Sequence, residues 1–499
     1  MHKSKTVSGS ILYIMEMVVS SLLSLISIPI TTHQLPPSEY GAFALAVAYS
    51  SIAMGIANWG TAIGYERNFF EHDGVADKSG ALLTTVVAFV ALNITVLLIG
   101  VFYWRYALSD LLLGQEAYSD LLVLVFLATG LATTANYYLT SLIYRGLAAN
   151  YIRITIFKSV TNFALLLLFL LHFKYGVNAL AYALVCSSIM SFAVVGILQL
   201  RDYRLSLSKD MLLDILKISL PLTPRIFFGF LGTHFDKIML RMMGSMGGVG
   251  IYSIGQKVSY LIFNFMTALE KVFIPELYRK LFAQEDNRAN HHLDYLTPYL
   301  YASVFAALMM ALFSEELFIL LMPNSYAGAV DIIIILTVYY ASMFFGKISG
   351  TQLIYAKKTH ITTALSLIGI VVNVALNIPM IMMWGVLGAA FATMAAGITM
   401  NFIYYHFAQR YVPLRWEWHS VALIYGIFSV AALFTLVAHM DLLSVPYVPI
   451  LIFKLAMTVA YLFLGARMGI VTMSNMRIVY NTVVGMLRGN ARVNLAPIN

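Results

Sequence analysis

Residues 164–171 read ALLLLFLL, and this run decides the fold class of the chain of 499 residues. The run is apolar on every face, whereas the strands of a membrane barrel alternate apolar and polar side chains. In lipid, every backbone polar group must find its partner within a helix or a closed barrel. The run therefore predicts a membrane-spanning helix.

Similar runs recur from end to end, because 60% of the residues are hydrophobic and only 11% are charged. Soluble domains carry about 25% charged residues. About 20 apolar residues cross a bilayer as a helix. We predict about fourteen such spans, at residues 9–31, 41–63, 80–103, 118–141, 154–173, 178–199, 218–240, 250–272, 296–321, 329–350, 361–383, 386–408, 419–438 and 446–466.

The same composition excludes other classes of protein. The lone cysteine, Cys186, rules out a disulfide scaffold. The scarcity of Lys and Arg clusters argues against a nucleic-acid binder. We find no motif for a nucleophile, a phosphate loop or a metal site, and the loops leave no room for a catalytic domain. We therefore expect no enzyme, no cofactor and no metal.

The basic residues predict the orientation. If the N-terminus is cytoplasmic, outer loops receive only Arg105, Lys174, Lys237 and Arg241, and most of the 31 Lys and Arg residues lie inside. Inner loops carry the basic excess in membrane proteins. We therefore expect both termini in the cytoplasm, and the net charge of +8 reflects topology.

The chain also matches itself when it is shifted by about 209–211 residues. The offset pairs Gly41 with Gly250, 142–144 with 353–355, Asn162 with Asn373, Gly176 with Gly385, and Ala183 with Ala392. We predict two lobes of six helices, at 1–205 and 209–410, then two further helices within 411–470 and a cytoplasmic tail at 471–499. Since six is even, a pseudo-twofold axis along the membrane normal should relate the lobes. Lobes of this kind enclose a central cavity and can rock about it.

Three stretches resemble a known family. QLPPSEYGAF at 34–43 is similar to a signature of polysaccharide-exporting flippases, with a weaker copy at 248–253. Pro221, followed by DKIML at 236–240, is similar to a second pattern of that family. WGVLGAAFAT at 384–393 is similar to one of its helical hairpins. The chain departs from the pattern at Pro36, where glycine is usual, and at 178–180. Over roughly residues 8–410 it resembles O-antigen flippases of the Wzx type, within the superfamily that includes MATE exporters.

Ionisable residues inside spans are candidate functional residues, because placing one at the bilayer centre costs about 2.5–3.5 kcal/mol or more. The offset matches Glu16 in the first span with Arg225 in the seventh. Three interpretations stay open. The two form an ion pair, Arg225 binds a diphosphate through its planar guanidinium, or Glu16 binds the H⁺ or Na⁺ that drives the cycle.

Further candidates flank these two. Pro221 and Pro224 remove helical hydrogen bonds just before Arg225, so we expect a hinge there. Arg67 and Arg145 lie at inner mouths, where they either meet the diphosphate on entry or only follow the positive-inside rule.

Two lysines lie near the predicted outer ends of spans. Lys257 either snorkels to the interface or joins the diphosphate site, whereas we expect Lys454 to snorkel. We expect the pair Asp236 and Lys237, near a helix end, to be solvated.

The resemblance implies a flippase of the bacterial inner membrane that moves an undecaprenyl-diphosphate-linked oligosaccharide, such as an O-antigen unit, by alternating access. It implies a polysaccharide polymerase and a chain-length regulator as membrane partners, and no nucleic acid. A MATE-like exporter of small cations is the first alternative; we rank it second because we expect a cationic cavity. A membrane-embedded polymerase or a scaffold is the other.

Overall fold

The computed structural model describes residues 2–71, 76–202, 206–283, 294–440, 442 and 446–471. Within its helices, the side chains at 2–15, 76, 77, 202, 222, 225, 272, 283 and 294 are not described. Over the described ranges the regular structure is helical, without strands. The predicted tail lies outside them from residue 472 onward.

The first half of the described chain forms eight helices. They are α1 (His2–Gln34), α2 (Pro37–Ala57), α3 (Thr61–Glu71), α4 (Ala76–Tyr103), α5 (Arg105–Leu113), α6 (Ser119–Tyr144), α7 (Ala148–Leu167) and α8 (Asn178–Asp202). A π-helical turn, Leu168–His172, prolongs α7.

The second half forms nine. They are α9 (Lys209–Ser219), α10 (Thr223–Met243), α11 (Met246–Ala283), α12 (Thr297–Leu312), α13 (Ser314–Leu321), α14 (Ala329–Tyr355), α15 (Thr359–Tyr411), α16 (Trp418–His439) and α17 (Tyr447–Arg467).

The helices confirm the predicted class of an all-α polytopic membrane protein. Ten described helices are long and apolar enough to cross a bilayer, or twelve if each of two bent pairs is one span. Among the ten, α15 has 53 residues, about 80 Å of helix, and therefore contains two spans. The predicted number of fourteen is compatible with this series.

The internal duplication is visible in the backbone. Gly176 and Gly385, which the offset pairs, both have φ of +57° and turn the last hairpin of their lobe. Gly146 and Lys357 also correspond, and both take left-handed conformations, at +71° and +58°. At the second hairpin a Cβ on Gly388 would lie 1.9 Å from the nearest carbonyl oxygen. The two helices of this hairpin therefore approach each other closely.

Helix packing repeats in the same order. In the first half α1 packs on α7, α2 on α6, α4 on α6, and α8 on α6 and α7. In the second half α10 packs on α15, α11 on α14, α12 on α14, and α14 on α15. Between the halves, α1 meets α11 and α10 meets α2. This reciprocity is what a pseudo-twofold axis produces.

The halves meet most closely where α2 crosses α11. A Cβ on Gly41 would lie 2.1 Å from the carbonyl oxygen of Met246, and a Cβ on Gly250 would lie 1.9 Å from that of Pro37. Pro37 and Met246 are themselves related by the offset. The two backbones thus touch at equivalent points near the helix N-termini, on the predicted outer side.

The last two helices pack on the second half, and here one expectation is wrong. Lys454 does not snorkel: its side chain is fully buried, with Nζ 2.7 Å from Glu316 Oε1 and 3.2 Å from Glu315 Oε2. The physical reason is a bend of 59° between α12 and α13, which brings both carboxylates to the lysine. A buried cation needs such partners.

We predict that Gly250→Ala destabilises the protein. The new Cβ would clash with the backbone carbonyl of Pro37, which, unlike a side chain, cannot move away by changing rotamer. Overpacking of this kind costs about 1–3 kcal/mol. Thermal unfolding in detergent measures it. The control is Gly196→Ala in α8, where a Cβ meets nothing within 4 Å, and the two variants should differ. Equal melting temperatures would contradict the close crossing.

Candidate functional site

A cavity of about 1110 Å³ lies between the two halves of the chain. Its walls are α1 and α2 on one side and α10, α11, α14 and α15 on the other. It lies beneath the crossing of α2 and α11 and reaches from Tyr40 and Phe43, near that crossing, to Glu16 and Tyr404. The position matches the central cavity that the duplication predicts.

The described lining is rich in hydroxyls, amides and aromatic rings. The charged residues are two carboxylates, Glu16 and Asp236, and two lysines, Lys237 and Lys257. The other polar and aromatic residues are Ser20, Ser21, Ser24, Thr233, His234, Ser253, Gln256, Asn264, Ser366, Asn373, Thr393, Asn401, Tyr40, Phe43, Tyr260, Phe263, Tyr339, Tyr340 and Tyr404. The expected excess of positive charge is therefore not found among the described lining residues.

Asp236 is the best-connected charge of the cavity wall. It is 5% exposed. Its Oδ2 accepts hydrogen bonds from the hydroxyls of Tyr252 at 2.8 Å and Thr393 at 2.9 Å, and its Oδ1 accepts one from Asn377 Nδ2 at 2.9 Å. Four neutral or anionic groups from three helices of the second half thus meet at one point.

This cluster also holds spare oxygen ligands. Asn377 Nδ2 donates to the carbonyl and side-chain oxygens of Asn373, both at 3.0 Å. Asn377 Oδ1 is buried and has no hydrogen-bond partner among the described residues. A carboxylate beside an orphaned buried acceptor is a place where a proton or a hard cation can be held.

Two bonds across the cavity join the halves below the crossing. Lys257 Nζ on α11 donates to Ser27 Oγ on α1 at 3.1 Å, and Asn264 Nδ2 on α11 donates to Ser21 Oγ on α1 at 3.2 Å. Lys257 is half-buried and lines the cavity. Its ammonium is therefore held at the seam between the halves, where an anionic group in the cavity would meet it.

Glu16 also lines the cavity, and it accepts a hydrogen bond from Ser20 Oγ at 3.1 Å. Arg225 lies in the first turn of α10, and its side chain is outside the described residues. The pairing of these two side chains, and a diphosphate on Arg225, stay predictions.

The other predicted residues lie away from the cavity. Arg67 is exposed; it pairs with Glu71 and donates to Asn68 Oδ1 at 2.9 Å. Arg145 lies in the exposed turn after α6. Neither is among the described residues that line the central cavity.

The predicted hinge lies at a change of helix type. Pro221 lies in a 3₁₀ turn, Leu220–Leu222, that separates α9 from α10, and Pro224 lies at the start of α10. The helix is thus interrupted where the prolines are, and its movement stays a prediction.

The expectation that Asp236 and Lys237 are solvated is wrong. Because α10 continues to Met243, the pair lies two turns inside the helix and on the cavity wall. Apolar residues follow the pair at 238–240, and Asp236 belongs to a motif that carried the resemblance. Those two signals were available in the sequence.

Comparison with known proteins gives a family and a fold. The family described as polysaccharide biosynthesis protein matches residues 6–280. The capsular polysaccharide biosynthesis protein CapF of Staphylococcus aureus is 24% identical over 255 residues, 50% of this chain. The chain spans 64% of the length of that relative.

Two solved structures share the fold. The lipid II flippase MurJ, in an inward closed conformation, aligns with a TM-score of 0.69 at 14% identity, over 96% of this chain and all of its own. An inward-facing multidrug resistance transporter of the MATE family aligns with a TM-score of 0.60 at 15% identity, over 79% of this chain and 94% of its own. These likenesses concern the fold.

We predict that Asp236→Asn lowers the melting temperature. An asparagine places an NH₂ group against donors that now have a carboxylate, and each buried group left unpaired costs about 1–3 kcal/mol. Asp214→Asn, on the exposed face of α9, is the matched control. If the two variants melt alike, the cluster around Asp236 does not hold the helices together.

Proposed function

The chain belongs to the polysaccharide biosynthesis protein family, and from this premise we propose that it is a flippase for lipid-linked oligosaccharides. The match over residues 6–280 confirms the resemblance carried by residues 34–43. The substrate we propose is an undecaprenyl-diphosphate-linked unit of O-antigen or a related surface polysaccharide, moved from the inner to the outer leaflet.

The observation that carries this proposal is the lining of the cavity between the halves. Sugar hydroxyls cannot cross hydrocarbon without hydrogen bonds. A wall of serine, threonine, asparagine and tyrosine side chains replaces the bonds that the sugars make with water. The volume of about 1110 Å³ exceeds the usual range of small-ligand pockets, about 300–1,000 Å³, and suits an oligosaccharide.

Lys257 is the cation best placed for the diphosphate. Its ammonium donates a hydrogen bond to Ser27 in the other half. A diphosphate that enters the cavity would compete with Ser27 for this ammonium. A charge-assisted hydrogen bond is stronger than a neutral one. From pseudo-symmetry we propose Arg225 as a second diphosphate-binding residue. We propose that Arg67 and Arg145 meet the diphosphate as it enters from the cytoplasmic side.

The energy source we propose is electrical and ionic. An inside-negative potential drives an anion outward by about 2.3 kcal/mol per charge per 100 mV. H⁺ or Na⁺ is the proposed coupling ion. Asp236, with its neighbouring oxygens from Asn373 and Asn377, is better built to hold it than Glu16, whose described partner is one serine hydroxyl.

The setting follows from the same role. The chain is a multi-pass membrane protein, and we place it in the bacterial inner membrane with both termini in the cytoplasm. We propose transport without enzymatic conversion of the substrate. A polysaccharide polymerase and a chain-length regulator are its proposed membrane partners.

The alternative is a MATE-like exporter of small cations, and one observation favours it. Glu16 and Asp236 put two carboxylates on the cavity wall, which a cationic cargo would need. A polymerase or a scaffold has no comparable feature in its favour.

The decisive experiment reconstitutes the protein in vesicles that carry a fluorescent undecaprenyl-diphosphate-linked oligosaccharide, and measures the fraction translocated. We expect wild-type protein to translocate it. Lys257→Ala should slow translocation about 10-fold or more, the loss of one charged hydrogen bond, and Lys257→Arg should retain most of the rate.

Lys209→Ala, an exposed lysine outside the cavity, is the control and should behave as wild type. Vesicles that expel an organic cation but leave the lipid in place would instead establish the cation exporter. Equal rates for Lys257→Ala and Lys209→Ala would remove Lys257 from the diphosphate site.

A further inference from the structure

A second cavity, of about 240 Å³, opens behind α1 in the first half of the chain. Its walls come from α1, α2, α7 and α8, and Lys257 reaches it from α11. We call it the side chamber and define it by Ser24, Ser27, Ser159, Asn162 and Lys257. The prediction of a central cavity from the duplication does not include it.

The side chamber adjoins the central cavity through shared walls. Ser20, Ser24, Tyr40, Phe43 and Lys257 line both. A molecule in the central cavity therefore has the chamber beside it, with two aromatic rings and one ammonium at the passage.

Most hydroxyls of the chamber come from one stripe of α1. Ser20, Ser24, Ser27 and Thr31 recur at intervals of three and four residues and so lie on one helix face. Ser27 Oγ donates to the Ser24 carbonyl at 2.6 Å, and Thr31 Oγ1 donates to the Ser27 carbonyl at 2.8 Å. Because the protons of Ser27 and Thr31 are used within the helix, these two hydroxyls offer lone pairs to the chamber.

Asn162 adds a further acceptor from α7. Its Nδ2 donates to Ser187 Oγ at 3.2 Å, and none of the hydrogen bonds among the described residues uses its Oδ1. The rest of the wall is apolar, with Phe163, Leu180 and Ala183 among its members.

This chemistry selects a neutral polyol. Deep in the chamber, Ser27 and Thr31 have no proton left to donate to a phosphate, and the ammonium of Lys257, the one charged group of the described lining, repels a cation. A pyranose has hydroxyls that donate to such acceptors and a C–H face for apolar side chains. The volume corresponds to about eight waters at about 30 Å³ each, which is room for one ring.

We propose that the side chamber binds the first sugar of the lipid-linked substrate, the one attached to the diphosphate. The inference rests on the proposed function, since it uses Lys257 as the diphosphate partner. With the diphosphate at Lys257 in the passage, the adjoining ring is the part of the substrate that can enter the chamber. The chamber then sets the specificity for that sugar, and the central cavity holds the remaining units.

The test compares the dissociation constants of two lipids in nanodiscs: undecaprenyl diphosphate, and the same lipid bearing one N-acetylglucosamine. We expect wild type to bind the sugar-bearing lipid about 10-fold more tightly. Ala183→Leu, which fills the chamber, should abolish the preference and leave the affinity for bare undecaprenyl diphosphate unchanged. Asn162→Ala should reduce the preference severalfold, and it introduces no larger side chain that could disturb the packing.

Two controls match these variants. Ala392→Leu changes the position that the duplication pairs with Ala183; it is equally buried and lines neither cavity. Asn93→Ala removes a half-buried amide whose Nδ2 donates to the Ala57 carbonyl at 3.1 Å, away from the chamber. Both should retain the preference.

The outcomes separate the inference from the proposed function. A wild-type protein that binds both lipids equally, or an Asn162→Ala variant with the full preference, would overturn the sugar site and leave the flippase standing. A wild-type protein that binds neither lipid would overturn the proposed function itself. If Ala183→Leu does not fold, Asn162→Ala decides alone.

Discussion

The close crossing of α2 and α11 at Gly41 and Gly250 is the constraint on which the rest depends. Each glycine lies against the backbone of the other helix, and the contacts are reciprocal under the internal offset. Because the two backbones touch at these glycines, no side chain fits between them, and the seam widens below into the central cavity. In the proposed transport cycle, alternating access requires this contact to open.

Charges in the core follow a common rule. Asp236 is surrounded by three donors, and Lys454 by two carboxylates on a bent helix. Buried charges persist only with such partners. The two clusters have different surroundings, since Lys454 joins the last two helices to the second half, whereas Asp236 faces the cavity.

The sequence predicted the class, the duplication, the hairpin at Gly385 and the central cavity, because periodicity and offset are properties of the chain alone. It misplaced Asp236, since hydropathy locates a helix end only to within a few residues and α10 runs on to Met243. It misplaced Lys454, since the bend between α12 and α13 has no local signal that a hydropathy pattern detects. The error on Asp236 contributed to the expected cationic cavity, because it left one carboxylate out of the lining. The side chamber could not be predicted from the sequence, because it forms only where α1 packs against α7 and α8.

A reversible lock across the crossing tests the central claim, that the halves must part there during transport. A Cβ on Gly247 lies 4.0 Å from that of Pro37, within disulfide range. In a Cys186→Ser background, we predict that the Pro37→Cys, Gly247→Cys protein loses translocation when oxidised and regains it on reduction, with lipid binding intact throughout. Full translocation by protein shown to be completely cross-linked would contradict the account.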